Sequence, residues 1–174
     1  NLLSGGAGAD TLEGGAGNDI YVLTDELDTL IDSSGVDWVR APFSYVLPAE
    51  IEKGELLGLQ PASLTGNAVA NSLVGNPADN ILDGMEGADT LTGGAGSDQF
   101  VFDVLTLISG NTDIITDFST NQNDKIVLSG DAFTSLFGKT DLSANIRNYS
   151  ASSVGGDDYI VYDNTTGNVY YDPT

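Results

Sequence analysis

Gly5-Gly6-Ala7-Gly8-Ala9-Asp10-Thr11-Leu12-Glu13 runs directly into Gly14-Gly15-Ala16-Gly17-Asn18-Asp19-Ile20-Tyr21-Val22, and both nonads fit G-G-x-G-x-D-x-U-x, with U a large apolar residue. Four more consecutive nonads run from Gly66 to Val74, Gly75 to Asp83, Gly84 to Thr92 and Gly93 to Val101. Their sixth positions are Asn71, Asn80, Asp89 and Asp98, and their eighth positions are Leu73, Leu82, Leu91 and Phe100. A short fixed period marks a solenoid, in which each repeat packs only on its neighbours. The glycines fade after Val22, yet the phase persists. Steps of nine from Asp10 reach Asp19, Asp28 and Asp37, with Leu12, Tyr21, Leu30 and Val39 at the matching eighth positions. Counting backwards puts Asn1 on a sixth position and Leu3 on an eighth. The first array therefore extends to about Arg40, and two of its coils lack the glycine pattern.

The nonad dictates its own conformation. Six glycine-rich residues make a turn in which positive φ angles cost little and carbonyls can face inward. The remaining x-U-x makes a short strand with one side chain on the inner face. Two nonads complete a coil of 18 residues, so the strands stack in two parallel sheets. Leu12 and Leu30 then line one sheet, and Tyr21 and Val39 the other; Leu73 and Leu91 oppose Leu82 and Phe100. These side chains are core. Such short strands bury little apolar area, so stacking alone is marginal.

The sixth position supplies a further tie. A spacing of 18 brings Asp10 over Asp28, Asp19 over Asp37, Asn71 over Asp89, and Asn80 over Asp98. Stacked carboxylates a few ångströms apart repel by around 4 kcal/mol per pair at an effective dielectric near 20. A divalent ion between them reverses that sign and uses carbonyls that the turn leaves unpaired. Calcium suits the spacing, because it accepts six to eight oxygens in loose geometry, whereas magnesium demands a tight octahedron. Asn71 and Asn80 are open to two readings: an oxygen ligand, or a turn cap that needs no metal.

Composition agrees. The 22 glycines in 174 residues are close to twice the usual share of roughly 7%. The net charge is −21, and among the 26 acids Asp outnumbers Glu by 20 to six. Short Asp side chains favour turns and compact oxygen cages. The lack of a basic patch argues against nucleic acid and against an anionic membrane surface. Cysteine and histidine are both absent, which removes Cys/His zinc sites, disulfides and histidine-based nucleophile systems. No apolar run is long enough for a spanning helix, so no stable membrane insertion is expected. Gly5, Gly6 and Gly8 are not a nucleotide loop, since no helix pattern follows them.

The motif is highly specific, and over residues 1–40 and 66–102 the chain resembles the RTX, or hemolysin-type, calcium-binding repeats of secreted bacterial toxins, proteases, lipases, epimerases and adhesins. Asp37-Trp38-Val39-Arg40 with Phe43 to Leu47 resembles the segment such proteins place between arrays, although Ile51-Glu52-Lys53-Gly54-Glu55-Leu56 departs from the family's V-E-N-L-like strand. Asp113 to Phe118 and Asp124 to Ser129 resemble the flank that closes the last roll. Tyr159 to Asp163 and Asn168 to Asp172 read as a β-hairpin turning at Thr165-Thr166-Gly167-Asn168.

The resemblance implies an all-β fold, a right-handed parallel β-roll. It divides the chain into a first roll at 1–40, an inter-array β segment at 41–65, a second roll at 66–102 and a β-rich capping flank at 103–174. It also implies about four to six calcium ions, each held by carbonyls and Asp side chains of turns two nonads apart. One ion falls between Gly6, Gly8, Asp10 and Leu23, Asp25, Asp28. A second falls between Gly15, Gly17, Asp19 and Asp32, Ser34, Asp37. The second array offers Asn67, Val69, Asn71 with Gly84, Glu86, Asp89, and Asn76, Ala78, Asn80 with Gly93, Ala95, Asp98. Gly94, Gly96 and Asp98 are further paired with a flank acid, Asp113.

The expected function is a calcium-triggered folding and stabilising module of a larger exported protein, extracellular or on a bacterial cell surface, with the type I secretion machinery as partner through its parent. The chain opens in mid-pattern at Asn1, so a fragment is expected, with the export signal beyond it. A glycan or surface partner is the first rival, served by Trp38, Tyr149, Tyr159, Tyr170 and Tyr171, although these aromatics also fit strand packing. Catalysis is the second rival. Acid pairs such as Asp157-Asp158 exist, but none forms a partnered acid/base set, so the expectation is no enzyme.

Overall fold

The structure, a computed structural model, describes residues 1–102 and 113–128, together with the strands at 146–148, 159–163 and 168–172. The first array supplies β1 (Leu2–Ser4), β2 (Thr11–Ala16), β3 (Ile20–Val22), β4 (Thr29–Ser34) and β5 (Trp38–Ala41). Then come β6 (Tyr45–Val46), β7 (Lys53–Leu56) and β8 (Ala62–Thr65). The second array supplies β9 (Ser72–Val74), β10 (Asn80–Asp83), β11 (Thr90–Thr92) and β12 (Gln99–Phe102). Beyond it lie β13 (Ile114–Ile115), a 3₁₀ turn at Thr120–Gln122, β14 (Lys125–Leu128), β15 (Ile146–Asn148), β16 (Tyr159–Asp163) and β17 (Asn168–Asp172).

Alternate strands fall in alternate sheets, as the two-nonad coil requires. One sheet runs β1-β3-β5-β7-β9-β11-β13 and continues through β17, β16 and β15; a second runs β6-β8-β10-β12-β14, and β2 pairs with β4 separately. The result is an all-β, parallel β-solenoid of about six turns. The register is the one expected: Leu12 opposite Leu30, Tyr21 opposite Val39, Leu73 opposite Leu91, and Leu82 opposite Phe100. The eighth-position side chains form the core, with Tyr21, Leu73, Leu82, Leu91 and Phe100 fully buried and Leu30 packed partly buried against them. Most array strands have three or four residues. β2 and β4 run to six across register shifts that follow Glu13.

Residues 41–65 contribute to both sheets. β7 pairs with β5 on one side and β9 on the other, while β6 and β8 extend the smaller sheet to β10. The unusual Ile51–Leu56 segment places Gly54 opposite both Val39 and Leu73, where the arrays carry a large apolar residue. A Cβ at Gly54 would lie 3.0 Å from each Leu64 methyl and 3.2 Å from Leu47 Cδ2, so the facing side chains already fill that space. Leu47, Ile51, Leu56 and Leu64 are buried around it.

After the second array, β13 lies beside β11 and β14 beside β12, each parallel. β16 and β17 pair antiparallel as the expected hairpin, and β17 meets β13 at Asn168 and Ile114. Residues 164–167 of that hairpin, and Tyr149, lie outside the described residues. No described helix is long and apolar enough to cross a membrane.

Candidate metal centre

The turns stack as tightly as the strands. Asp10 N–H donates to Asp28 Oδ1 at 3.1 Å, Asp19 N–H to Asp37 Oδ1 at 2.7 Å, Asn71 N–H to Asp89 Oδ1 at 2.7 Å, and Asn80 N–H to Asp98 Oδ1 at 2.8 Å. The Asn1 nitrogen donates in the same way to Asp19 Oδ1. One oxygen of each lower carboxylate thus holds the turn above it, at the 18-residue spacing read from the sequence. Glycine makes this approach possible. A Cβ at Gly14 would lie 2.9 Å from Asp32 Oδ1 of the adjacent coil, and Gly15 and Gly17 take φ of 85° and 106°, where side chains are strained.

The second carboxylate oxygen is the telling one. Asp10, Asp19, Asp32, Asp37, Asp89 and Asp98 each keep a buried Oδ2 with no hydrogen-bond partner. Buried polar atoms are nearly always paired, so six such orphans, five of them on the sixth position of the nonad, call for a compensating positive charge. Asp37, Asp89 and Asp98 are fully buried. Burial raises the Asp89 carboxyl to about 7, with nearby Asp113 and Asp83 adding to the rise against the Asn71 amide. Burial likewise raises Asp98 to about 6, helped by Asp124, Asp117 and Asp79 and opposed by the Asn80 amide. Asp37 is raised by burial and by Asp32 and Glu52, again against an amide, that of Asp19. One oxygen from each of Asp19, Asp32 and Asp37 falls within 4.8 Å of the others. The donors are all oxygens, which fits a hard cation of calcium's type.

Backbone carbonyls also face between turns. A Cβ at Gly94 would lie 2.9 Å from the Asn76 carbonyl oxygen, one at Gly96 2.6 Å from that of Ala78, and one at Gly87 2.6 Å from that of Val69. The Gly84 carbonyl oxygen would stand 2.6 Å from a Cβ at Gly66, and the Gly93 and Gly17 carbonyls crowd Gly75 and Gly35. Other expected ligands are partly engaged. The Ser34 carbonyl accepts Gly17 N–H at 2.8 Å, the Asp25 carbonyl accepts Asp28 N–H at 3.2 Å, and the Gly6 carbonyl accepts the Thr24 hydroxyl. A carbonyl retains a second lone pair in each case. Gly8, Leu23, Asn67, Glu86, Ala95, Gly94 and Gly96 lie between strands, and Gly15 lies in β2.

The expected sets are not equivalent. Asp28 has both oxygens satisfied, since Oδ2 accepts Thr24 N–H and Asp25 N–H at 3.2 and 3.3 Å. Burial pushes its pKa upward, but the Thr24, Asp10 and Asp25 amides outweigh that and hold it below the ordinary value. The Asp10–Asp28 set therefore offers one buried unpartnered carboxylate oxygen, that of Asp10, against the convergent group at Asp19–Asp37. Asn71 and Asn80 turn their amide groups back to the preceding coil. Asn71 Nδ2 donates to the Ile51 carbonyl at 3.1 Å, and Asn80 Nδ2 to that of Ala62 at 3.3 Å. Their Oδ1 atoms accept N–H from Asn67 and Asn76, each at 2.7 Å.

The flank differs from the pairing expected. Asp113 lies under Asp89, accepting its N–H at 2.9 Å, and Asp124 lies under Asp98 at 2.9 Å. Asp117 accepts Gly93 N–H and Gly94 N–H at 2.8 and 2.7 Å. These steps are 24 and 26 residues rather than 18, so counting along the chain could not locate them. Asp32 belongs to the expected set, where the resemblance implies its carbonyl, but its side-chain oxygen also lies with those of Asp19 and Asp37. Its signal was an Asp where the nonad carries Gly.

Stacked turns with unspent carboxylate oxygens, joining two parallel sheets, fit a calcium-binding β-solenoid. The family model of the RTX calcium-binding nonapeptide repeat matches residues 1–30 and 65–100 in four copies, so over these stretches the chain carries that repeat. No curated protein and no solved structure matches the chain.

Proposed function

We propose that this chain is the calcium-held folding module of a larger exported protein, with no catalytic role of its own. The carrying observation is the row of buried, unpartnered aspartate oxygens at stacked turns. Without a cation those charges oppose folding; with one they become the seam of the solenoid. Asp19, Asp32, Asp37, Asp89 and Asp98 present the charged oxygens, and the carbonyls of Gly17, Val69, Gly84, Asn76, Ala78 and Gly93 face the same gaps. A bound calcium ion would supply the compensating positive charge.

The reading follows from mass action. The bacterial cytosol is poor in free calcium and its surroundings are rich in it. Such a chain stays extended inside and gains about 4 kcal/mol per site once calcium exceeds its dissociation constant a thousandfold. Extension suits passage through a type I export channel, and folding follows outside. Circular dichroism tests this: a largely disordered spectrum in chelator should become β-rich in millimolar calcium. An unchanged spectrum would overturn the proposal.

A further inference from the structure

The resemblance to the repeat family implies only a carbonyl from position one of the nonad. At residue 32 that position carries an aspartate, and its side chain reaches the gap between Asp19 and Asp37. One oxygen of each of the three lies within 4.8 Å of the other two. Asp19 is 2% exposed and Asp37 is fully buried, and the Oδ2 atoms of Asp19, Asp32 and Asp37 all lack a partner. Tyr21, whose ring is buried in the core, donates its hydroxyl to Asp32 Oδ1 at 2.6 Å and to the Ile31 carbonyl at 3.3 Å. Gly14 lies beneath, and a Cβ there would stand 2.8 Å from Asp19 Oδ2 and 2.9 Å from Asp32 Oδ1. Three carboxylates therefore converge on one place, where the repeat itself provides two.

We propose that Asp32 is a direct carboxylate ligand, making the gap between residues 14–19 and 32–37 a three-carboxylate cation site distinct from the other rungs. The inference rests on the calcium reading above. Three carboxylates around a divalent ion leave one negative charge, and around a trivalent ion they leave none. This site consequently fills first with calcium and favours a trivalent lanthanide over calcium more strongly than the two-carboxylate rungs do. The Tyr21 hydroxyl orients Asp32 and holds a phenol beside the ion, so terbium bound here is the terbium that Tyr21 sensitises.

Two titrations test the proposal on the whole chain: calcium by calorimetry, and terbium with tyrosine excitation. Sensitised emission should rise with the first equivalent of terbium and fall sharply in Tyr21→Phe. Asp32→Asn should weaken the tightest calcium step by about tenfold or more while the β-rich spectrum in saturating calcium persists. Asp32→Gly restores the usual position-one residue, and so keeps the test valid if the Asn variant folds poorly; it should show the same weakening. A first calcium step as tight in both Asp32 variants as in the parent would overturn the proposal. Emission that grows only with later equivalents would do the same. Absence of any calcium binding by the parent would instead sink the module reading itself.

Discussion

Asp37 and Asn71 hold the same position of the nonad, yet their turns are held by opposite chemistry. At Asp37 one carboxylate oxygen accepts the Asp19 amide and the other is buried without a partner. At Asn71 the carboxamide is fully used, with Oδ1 accepting Asn67 N–H and Nδ2 donating to the Ile51 and Glu52 carbonyls at 3.1 and 3.4 Å. Asn67 and Asn76 reinforce this seam, donating to the carbonyls of Pro48 and Ile51, and of Leu57 and Gln60. An NH₂ group thus stands where the aspartate turns leave room for a cation. The same coil geometry can be closed by an ion or by neutral hydrogen bonds, and the sixth residue selects which.

Asp37→Ala should break the comparison most severely. It removes the Asp19 N–H acceptor and a charged oxygen of the three-carboxylate group. A loss of about 3–5 kcal/mol in saturating calcium is expected from denaturant unfolding. A change below about 1 kcal/mol would mean that this turn needs no such tie.

Asn71→Asp attacks the other side. A carboxylate would face the Ile51 and Glu52 carbonyls without a donor, so the metal-free chain should lose about 1–3 kcal/mol. Calcium should recover part of that loss, visible as a steeper calcium dependence of the thermal midpoint. Equal loss with and without calcium would show that the Asn seam lies beyond the reach of an ion.

Acid should substitute in part for calcium. Asp89 and Asp98 are raised to about 7 and about 6 in the folded chain, from an ordinary value of 3.8. The folded state then binds more protons than the unfolded one across that interval. The stabilisation is complete below the unfolded pKa and is lost as pH rises through about 6 to 7. In chelator, β-structure should therefore increase as pH falls from 7.5 to 5, and calcium affinity should fall over the same range. Asp28, held below its ordinary value, works in the opposite sense, its contribution being lost only in stronger acid. Monotonic loss of β-structure from pH 7.5 downward would contradict these assignments.

The smallest effect is expected where the first array meets the middle coil. Arg40 pairs with Glu55 through Nε at 2.7 Å and a second nitrogen at 3.3 Å, and its guanidinium lies 5.2 Å from the Trp38 ring centre. Both charges are partly solvated, so Arg40→Lys should cost no more than about 0.5–1 kcal/mol by chemical denaturation. A larger loss would make this junction, rather than the turn chemistry, the weak point between the two arrays.

Much of the site was legible because it is periodic. The phase from Asp10 to Asp37 located two stacked carboxylate pairs without help from glycine, and the eighth positions named the core down to Tyr21 and Phe100. Legibility ended where the period did. The insertions after Phe102 moved the partners of Asp89 and Asp98 to Asp113 and Asp124, at spacings no nine-residue count reaches. Gly54 occupies an inward position that reads as a poor strand residue, because the side chains that fill its space come from elsewhere, Leu47 just after β6 and Leu64 in β8.

By itself the chain determines the coil. A nine-residue rhythm fixes which residues face inward and which turns lie over one another, since both follow from local backbone geometry repeated along one axis. Tertiary structure decided how each side chain spends its polar atoms. Both Asp28 oxygens are consumed by amides, Asp37 keeps one free, Asn71 turns its NH₂ toward Ile51, and Asp32 enters the gap between its neighbours. Those outcomes depend on which donors the adjacent coil presents, and an adjacent coil is near in space while remaining far along the chain.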